Sequence, residues 1–208
     1  MSPAEMSAAA EEVCRLAPVI PVLVIEDASE AGPLARALVA GGLPALEVTL
    51  RTPAALDAIR EMAAVEGGRV GAGTLLTPED VERAMEAGAT FGVSPGATDR
   101  LLDACEANGL PLLPGAATAT EAMALLERGY TVQKFFPAEA SGGAAALKAI
   151  GAPIPQVRFC PTGGVSLSNA RDYLGLSNVL CVGGSWVAPK GALSEEIERL
   201  AREAAALG

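Results

Sequence analysis

Residues 69–88 read RVGAGTLLTPEDVERAMEAG, and this stretch decides the fold. Arg69–Thr74 is a short apolar run suited to a buried strand. Thr77-Pro78-Glu79-Asp80 then supplies an N-cap, a proline at the first helical position and two acids in the first turn. The helix that this starts covers Pro78–Ala87 and stops at Gly88, where a left-handed residue is wanted. A strand, a short connection and a capped helix make one βα unit.

The unit recurs along the chain. Apolar runs fall at Val19–Ile25, Ala45–Leu50, Arg69–Thr74, Thr90–Ser94, Leu110–Pro114, Val132–Phe136, Val157–Pro161 and Asn178–Val182. Helical patterns follow at Ala31–Ala40, Ala54–Val65, Pro78–Ala87, Asp99–Asn108, Thr120–Arg128, Ala144–Ile150, Leu167–Leu174 and Ser194–Leu207. Gly41-Gly42, Gly109 and Gly129 sit where left-handed stops are expected. Continuous apolar strands alternating with helices mean an α/β protein with a covered parallel sheet. Eight units, of about 26 residues each, favour a closed (β/α)8 TIM barrel over an open doubly wound sheet. Met1–Leu16 reads as an extra N-terminal helix. No linker or composition shift divides the chain, so residues 1–208 are expected to form a single domain.

Composition narrows the chemistry. The chain has 208 residues, of which 50% are hydrophobic, a formal net charge of −10 and a mean hydropathy of +0.35. Such acidity argues against nucleic acid or an anionic membrane surface as partner. No apolar window is long enough to span a membrane. Met1–Arg15 carries Glu5, Glu11 and Glu12 and no basic run, which does not read as a signal peptide. Cys14, Cys105, Cys160 and Cys181 form no CxxC pair and read as reduced, buried thiols of a cytoplasmic protein. There is no histidine at all. That removes the Ser-His-Asp triad, the Cys-His pair and His-ligated zinc, and no metal site is expected. Proton transfer must then use carboxylates, Lys, Tyr, Cys or water.

In a TIM barrel the active site lies at the C-terminal strand ends. Lys134 stands there, in an apolar strand between Val132 and Phe135-Phe136. Desolvation and a neighbouring arginine both favour a neutral lysine amine, the form that attacks a carbonyl to make a Schiff base. The alternative is an amine that reaches past the rim or pairs with an acid. Lys148 and Lys190, the other two lysines, read as solvated surface charges. Glu47, in LEVTLRT, could face the interior as the proton shuttle or serve as partner to Arg51. Arg51 could instead grip a substrate carboxylate. Gly163-Gly164 and Gly183-Gly184, with Ser185, close the last two strands, where barrels build phosphate sites from backbone amides. Tight βα turns use glycine too.

These residues resemble a known family. LEVTLRT, VGAGT, SPG, KFFPAE, RFCPTGG and VGGSW are together similar to the class I 2-keto-3-deoxy-6-phosphogluconate (KDPG) and 4-hydroxy-2-oxoglutarate (KHG) aldolases, over roughly residues 18–190. The resemblance implies Lys134 as Schiff-base lysine and Glu47 as acid/base. It implies Arg51 on the pyruvate carboxylate, with Thr74, Pro95 and Thr162 in the pyruvate pocket. Gly163, Gly164, Gly184 and Ser185 would hold phosphate. It also implies a homotrimer, no cofactor, and cleavage of a phosphorylated keto acid to pyruvate in the Entner–Doudoroff pathway. The KFFPAE and CPTGG runs favour the gluconate substrate over its galactonate isomer. Two other readings remain open: a phosphosugar isomerase or synthase, and a non-catalytic phosphosugar-binding barrel.

Overall fold

Local signals place the elements of the computed structural model, which describes residues 1–208. Helix α1 (Pro3–Cys14) precedes β1 (Val19–Leu23) and α2 (Ala31–Ala40). There follow β2 (Ala45–Thr49), α3 (Ala55–Ala63), β3 (Arg69–Gly73), α4 (Pro78–Glu86), β4 (Gly92–Val93) and α5 (Asp99–Asn108). Next come β5 (Leu112–Leu113), β6 (Gly115–Ala116), α6 (Ala119–Arg128), β7 (Val132–Phe135) and α7 (Gly143–Gly151). The chain ends with β8 (Arg158–Pro161), α8 (Ala170–Leu174), β9 (Val182–Gly184) and α9 (Ser194–Ala205). Helix α4 starts as its sequence indicates. Thr77 Oγ1 accepts from the Asp80 amide at 3.2 Å, and Asp80 Oδ2 accepts from the Thr77 amide at 3.1 Å. Ser2 with Glu5 and Thr118 with Glu121 build the same box on α1 and α6.

Gly42, Gly88, Gly109 and Gly129 are left-handed as expected. Gly41 is not, with φ −78°. Its reason is packing: a Cβ there would lie 2.3 Å from Ala201 Cβ and 2.8 Å from the Glu198 carbonyl. The missing side chain lets α2 press directly on α9.

Every strand pairing is parallel. One sheet runs β5-β4-β3-β2-β1-β9 and the other β6-β7-β8. Two of the expected strands pair differently along their length. The run assigned to Leu110–Pro114 continues past the proline, which only interrupts it: Pro114 lacks an amide but its carbonyl accepts from the Lys134 amide at 2.8 Å. The run assigned to Asn178–Val182 divides its pairing. Val179 bridges to Phe159 on β8, whereas Val182–Gly184 pair with Val19–Pro21 on β1. The glycines at 183 and 184 end this strand, as expected, and both lie within its ladder with β1. Thr162 also bridges to Gly183.

Two apolar clusters show how the sheet curls. The larger, of 45 buried residues, lies between strands and helices and includes Leu46, Val48, Phe135 and Phe159. The smaller, of 10 residues, joins Ile20, Ala45, Val93, Leu113, Val132, Cys160 and Cys181 with Val13 and Cys14 of α1. Strands from both sheets meet in that one cluster, so its face is concave. Helix α1 covers its N-terminal end, and Ser7 Oγ accepts from the Thr131 and Val132 amides at 2.9 Å.

The helix contact gives two substitutions of opposite sign. Gly41→Ala should lower stability by about 1–3 kcal/mol through overpacking against α9. Gly32→Ala meets only the mobile Arg36 guanidinium, at 3.4 Å, and should raise stability by about 0.5–1 kcal/mol. Urea melts of the two variants measure both signs.

Candidate active site

Strand alternation aims the key side chains. Ala45 and Val132 belong to the concave cluster, so Glu47 and Lys134, two residues further along their strands, face the same way. Leu46, Val48 and Phe135 face outward among the helices. Glu47 and Lys134 come from strands far apart in the order, and their side chains meet: Lys134 Nζ donates to Glu47 Oε1 at 3.3 Å. The residues are 5% and 3% exposed. Lys134 Nζ also lies 5.1 Å from the Phe136 ring centroid, within cation–π range. Lys148 is exposed, and Lys190, 87% exposed, pairs with Glu26 at 2.8 Å. Lys134 is therefore the one buried lysine.

Burial pushes the Glu47 carboxyl above its usual range; Lys134 and Arg51 pull it back only in part. Space for this carboxylate comes from β3. A Cβ on Gly73 would lie 2.3 Å from Glu47 Oε1, so only glycine fits. Cys160 pairs with Lys134 across β7 and β8. Its Sγ lies 3.9 Å from Thr162 Oγ1. Hydrogen bonding among Cys14, Cys160 and Cys181, together with burial, pushes the Cys14 and Cys181 thiols well up. They are core thiols, as their sequence context indicates.

The other expected positions lie at or just past the C-terminal ends of β2, β3, β4, β8 and β9. Arg51 lies in the exposed turn after β2, and its partner is not Glu47: its Nε donates to Thr49 Oγ1 at 3.2 Å. Thr49 Oγ1 in turn donates to the Leu23 carbonyl at 2.9 Å. This buried threonine orients Arg51, and nothing in the sequence marked it beyond its place on the same strand face. Thr74 follows β3 with φ 64°, the one residue other than glycine in the left-handed region. Strain of this kind costs about 1–3 kcal/mol and gathers at functional sites. Pro95 follows β4, and the Pro95-Gly96 peptide crosses Gly115 so closely that a Cβ there would sit 2.3 Å from the Pro95 carbonyl. Ser94, beside it, is fully buried and its hydroxyl has no partner.

Thr162 is 6% exposed and packs over Gly183, where a Cβ would lie 2.3 Å from Thr162 Oγ1. Gly163 and Gly164 turn the chain with φ 100° and 80°. A Cβ on Gly184 would lie 1.7 Å from Trp186 Cζ3, and Ser185 is exposed beyond it. The amides of Gly163, Gly164, Val165, Ser185 and Trp186 bond to no protein acceptor. Two adjacent turns with free amides are suited to an anion.

Fold and site together define a parallel α/β protein with a buried amine–carboxylate pair at the C-terminal ends of its strands. Residues 10–202 match the family described as "Aldolase: KDPG and KHG aldolase", and the chain belongs to that family. It is 52% identical over 200 residues to the KHG/KDPG aldolase of Escherichia coli K12, covering 94% of each chain. The crystal structure of the 2-keto-3-deoxy-6-phosphogluconate aldolase of Zymomonas mobilis ZM4 with 3-phosphoglycerate superposes with a TM-score of 0.93, at 52% identity over 95% of each chain. The KDPG aldolase of Legionella pneumophila, with pyruvate captured as a covalent carbinolamine, superposes at 0.90 with 46% identity over 94% and 97% of the two chains.

The pair makes stability depend on pH. Lys134→Met removes the cation that holds Glu47 partly down, so folding draws a proton onto Glu47 more strongly. Above the ordinary glutamate value of 4.5 the variant should lose stability against wild type, by about 3–5 kcal/mol at neutral pH. The difference should close as pH falls below that value. Thermal melts of both proteins from about pH 4 to about pH 8 measure it.

Proposed function

We propose that the protein is a metal-independent, Schiff-base (class I) aldolase. It cleaves 2-dehydro-3-deoxy-6-phosphogluconate to pyruvate and glyceraldehyde 3-phosphate, and 4-hydroxy-2-oxoglutarate to pyruvate and glyoxylate. The observation that carries this reading is the buried Lys134–Glu47 pair at 3.3 Å, in a chain about half identical to named aldolases. The carbinolamine of the Legionella relative supports a covalent amine mechanism.

In a dry site, moving one proton from Lys134 to Glu47 replaces two charges with two neutral groups. The free amine attacks the C2 ketone, and the carbinolamine loses water to give a protonated imine. The imine takes the role of electron sink, so no metal Lewis acid is needed. Glu47, which has given the proton taken from Lys134 to the departing hydroxyl and is a carboxylate again, removes the C4 hydroxyl proton directly or through one water. The C3–C4 bond breaks, its electrons enter the imine, and the aldehyde leaves. Protonation of the resulting enamine at C3 and hydrolysis release pyruvate and restore Lys134. Arg51, held by Thr49, and Thr74 bind the carboxylate, with Pro95 and Thr162 lining the pyruvate pocket. The amides around Gly163, Gly164, Gly184 and Ser185 take the phosphate. The reaction belongs to the Entner–Doudoroff pathway.

We read the sheets as one closed eight-stranded barrel, with α1 as an extra helix at its base and residues 1–208 as one domain. Support comes from the Phe159–Val179 and Thr162–Gly183 bridges, and from the single residue that separates β5 from β6. The family resemblance supports a homotrimer, and the reduced thiols and acidic charge a cytoplasmic enzyme. No helix is long and apolar enough to cross a membrane.

Borohydride reduction with pyruvate, followed by peptide mass spectrometry, should find a stable adduct on Lys134. An unlabelled Lys134 would overturn the mechanism. Lys134→Ala should abolish turnover. Glu47→Gln should lower kcat by roughly 100-fold or more while the imine stays trappable; an unchanged kcat would remove Glu47 as the base.

A further inference from the structure

We propose that Glu139 and Tyr173 are positioning residues that hold the Gly163-Gly164 turn in its anion-binding shape. The proposal rests on the reading of that turn as part of the phosphate site. A trans peptide points its carbonyl and its amide in opposite directions. Fixing the carbonyls of Thr162, Gly163 and Gly164 therefore fixes the amides of Gly163, Gly164 and Val165. All three carbonyls are held. The Ala138 amide donates to the Thr162 carbonyl at 2.8 Å, and the Glu139 amide donates to the Gly163 carbonyl at 3.0 Å. Asn169 Nδ2 donates to the Gly164 carbonyl at 3.1 Å, with Asn169 Oδ1 itself held by the Ser166 amide at 2.8 Å. The three opposing amides are the ones left without protein acceptors.

Glu139 does more than lend its amide. Its Cβ and Cγ occupy the space above Gly164, where a Cβ would lie 2.7 Å and 2.6 Å from them. The turn can approach Glu139 this closely only because residue 164 is glycine. The Glu139 side chain is itself anchored at its far end, where Oε1 accepts from the Tyr173 hydroxyl. Tyr173, on α8, is 1% exposed, and burial and Glu139 both push its phenol well up, so it stays a donor. Gly143 opens α7 with φ 68°, and a Cβ there would meet Glu139 Oε1 at 3.4 Å and the Tyr173 hydroxyl at 3.7 Å. One carboxylate thus ties the loop after β7, the turn after β8 and helix α8 together. The proposed reaction assigns it no step.

The test compares the phosphorylated keto acid with 4-hydroxy-2-oxoglutarate, which has no phosphate. Tyr173→Phe keeps the packing and removes the hydroxyl. It should raise KM for the phosphorylated substrate roughly ten-fold with kcat within about two-fold, and leave both constants for 4-hydroxy-2-oxoglutarate within about two-fold. Glu139→Ala, at an exposed position, should do the same, whereas Glu139→Gln keeps the acceptor oxygen and should stay close to wild type. Ser185→Glu, which puts a carboxylate beside the second turn, tests the phosphate site independently. If Ser185→Glu raises KM for the phosphorylated substrate and neither Tyr173→Phe nor Glu139→Ala does, the brace is wrong and the phosphate site stands. An equal loss on both substrates would show a merely structural role. No effect from any of the variants would remove the phosphate site and the brace with it.

Discussion

The arrangement depends on keeping a lysine and a glutamate together inside an apolar sheet. Removing two charges from water costs several kcal/mol per ion, and mutual attraction offsets this only where geometry is held and further contacts are made. Lys134 and Glu47 sit on separate strands whose backbones are fixed by ladders on both sides. The Phe136 face adds a contact to the cation. Even so, burial outweighs Lys134 and Arg51 in its effect on Glu47. Burial therefore keeps the Glu47 carboxyl above its usual range even with the Lys134 cation beside it.

Space for the pair comes from leaving side chains out. Glycine inside a strand weakens it and commonly marks a close approach, yet several strands accept it. Gly73 makes room for the Glu47 carboxylate, Gly183 for Thr162 and Gly115 for the Pro95-Gly96 peptide. Gly73 ends its strand beside Glu47, while the N-terminal end of the concave face is filled by Val13, Cys14, Ile20 and Ala45. The concave face therefore has a packed, apolar base and an open, polar mouth. Stability comes from one end, and the other is free to carry costly features such as the left-handed Thr74.

The βα repeat was legible because its signals are local: a capping box, a proline at the first turn and a glycine stop each fall within a few residues. Lys134 and Glu47 stood out because charged residues in apolar strands demand a reason. Their meeting was not legible, since 87 residues separate them and only the curl of the sheet closes that distance. Strand glycines were legible as residues but not as causes. Gly73 exists for Glu47 and Gly41 for Ala201, and a partner remote in sequence leaves no local mark. The same blindness misplaces the start of the last strand, which is Val182 rather than Asn178, although Gly183-Gly184 do end it. Arg51 was weighed against Glu47, four residues away, while its observed partner is Thr49.

Rigidity at the mouth follows from how few atoms do the holding. A turn of two left-handed glycines has little conformational preference of its own, because glycine loses more freedom on ordering than any other residue. Shape has to be imposed from outside, and around Gly163-Gly164 it is imposed through carbonyls: two bonds from the loop after β7 and one from Asn169. The loop that does this begins at Phe136, immediately after β7 and Lys134. One connection therefore sets the cation–π contact to the amine and the orientation of the amides of the neighbouring turn. Any displacement of that connection moves both, which links the Lys134 amine to the Gly163-Gly164 turn by backbone alone.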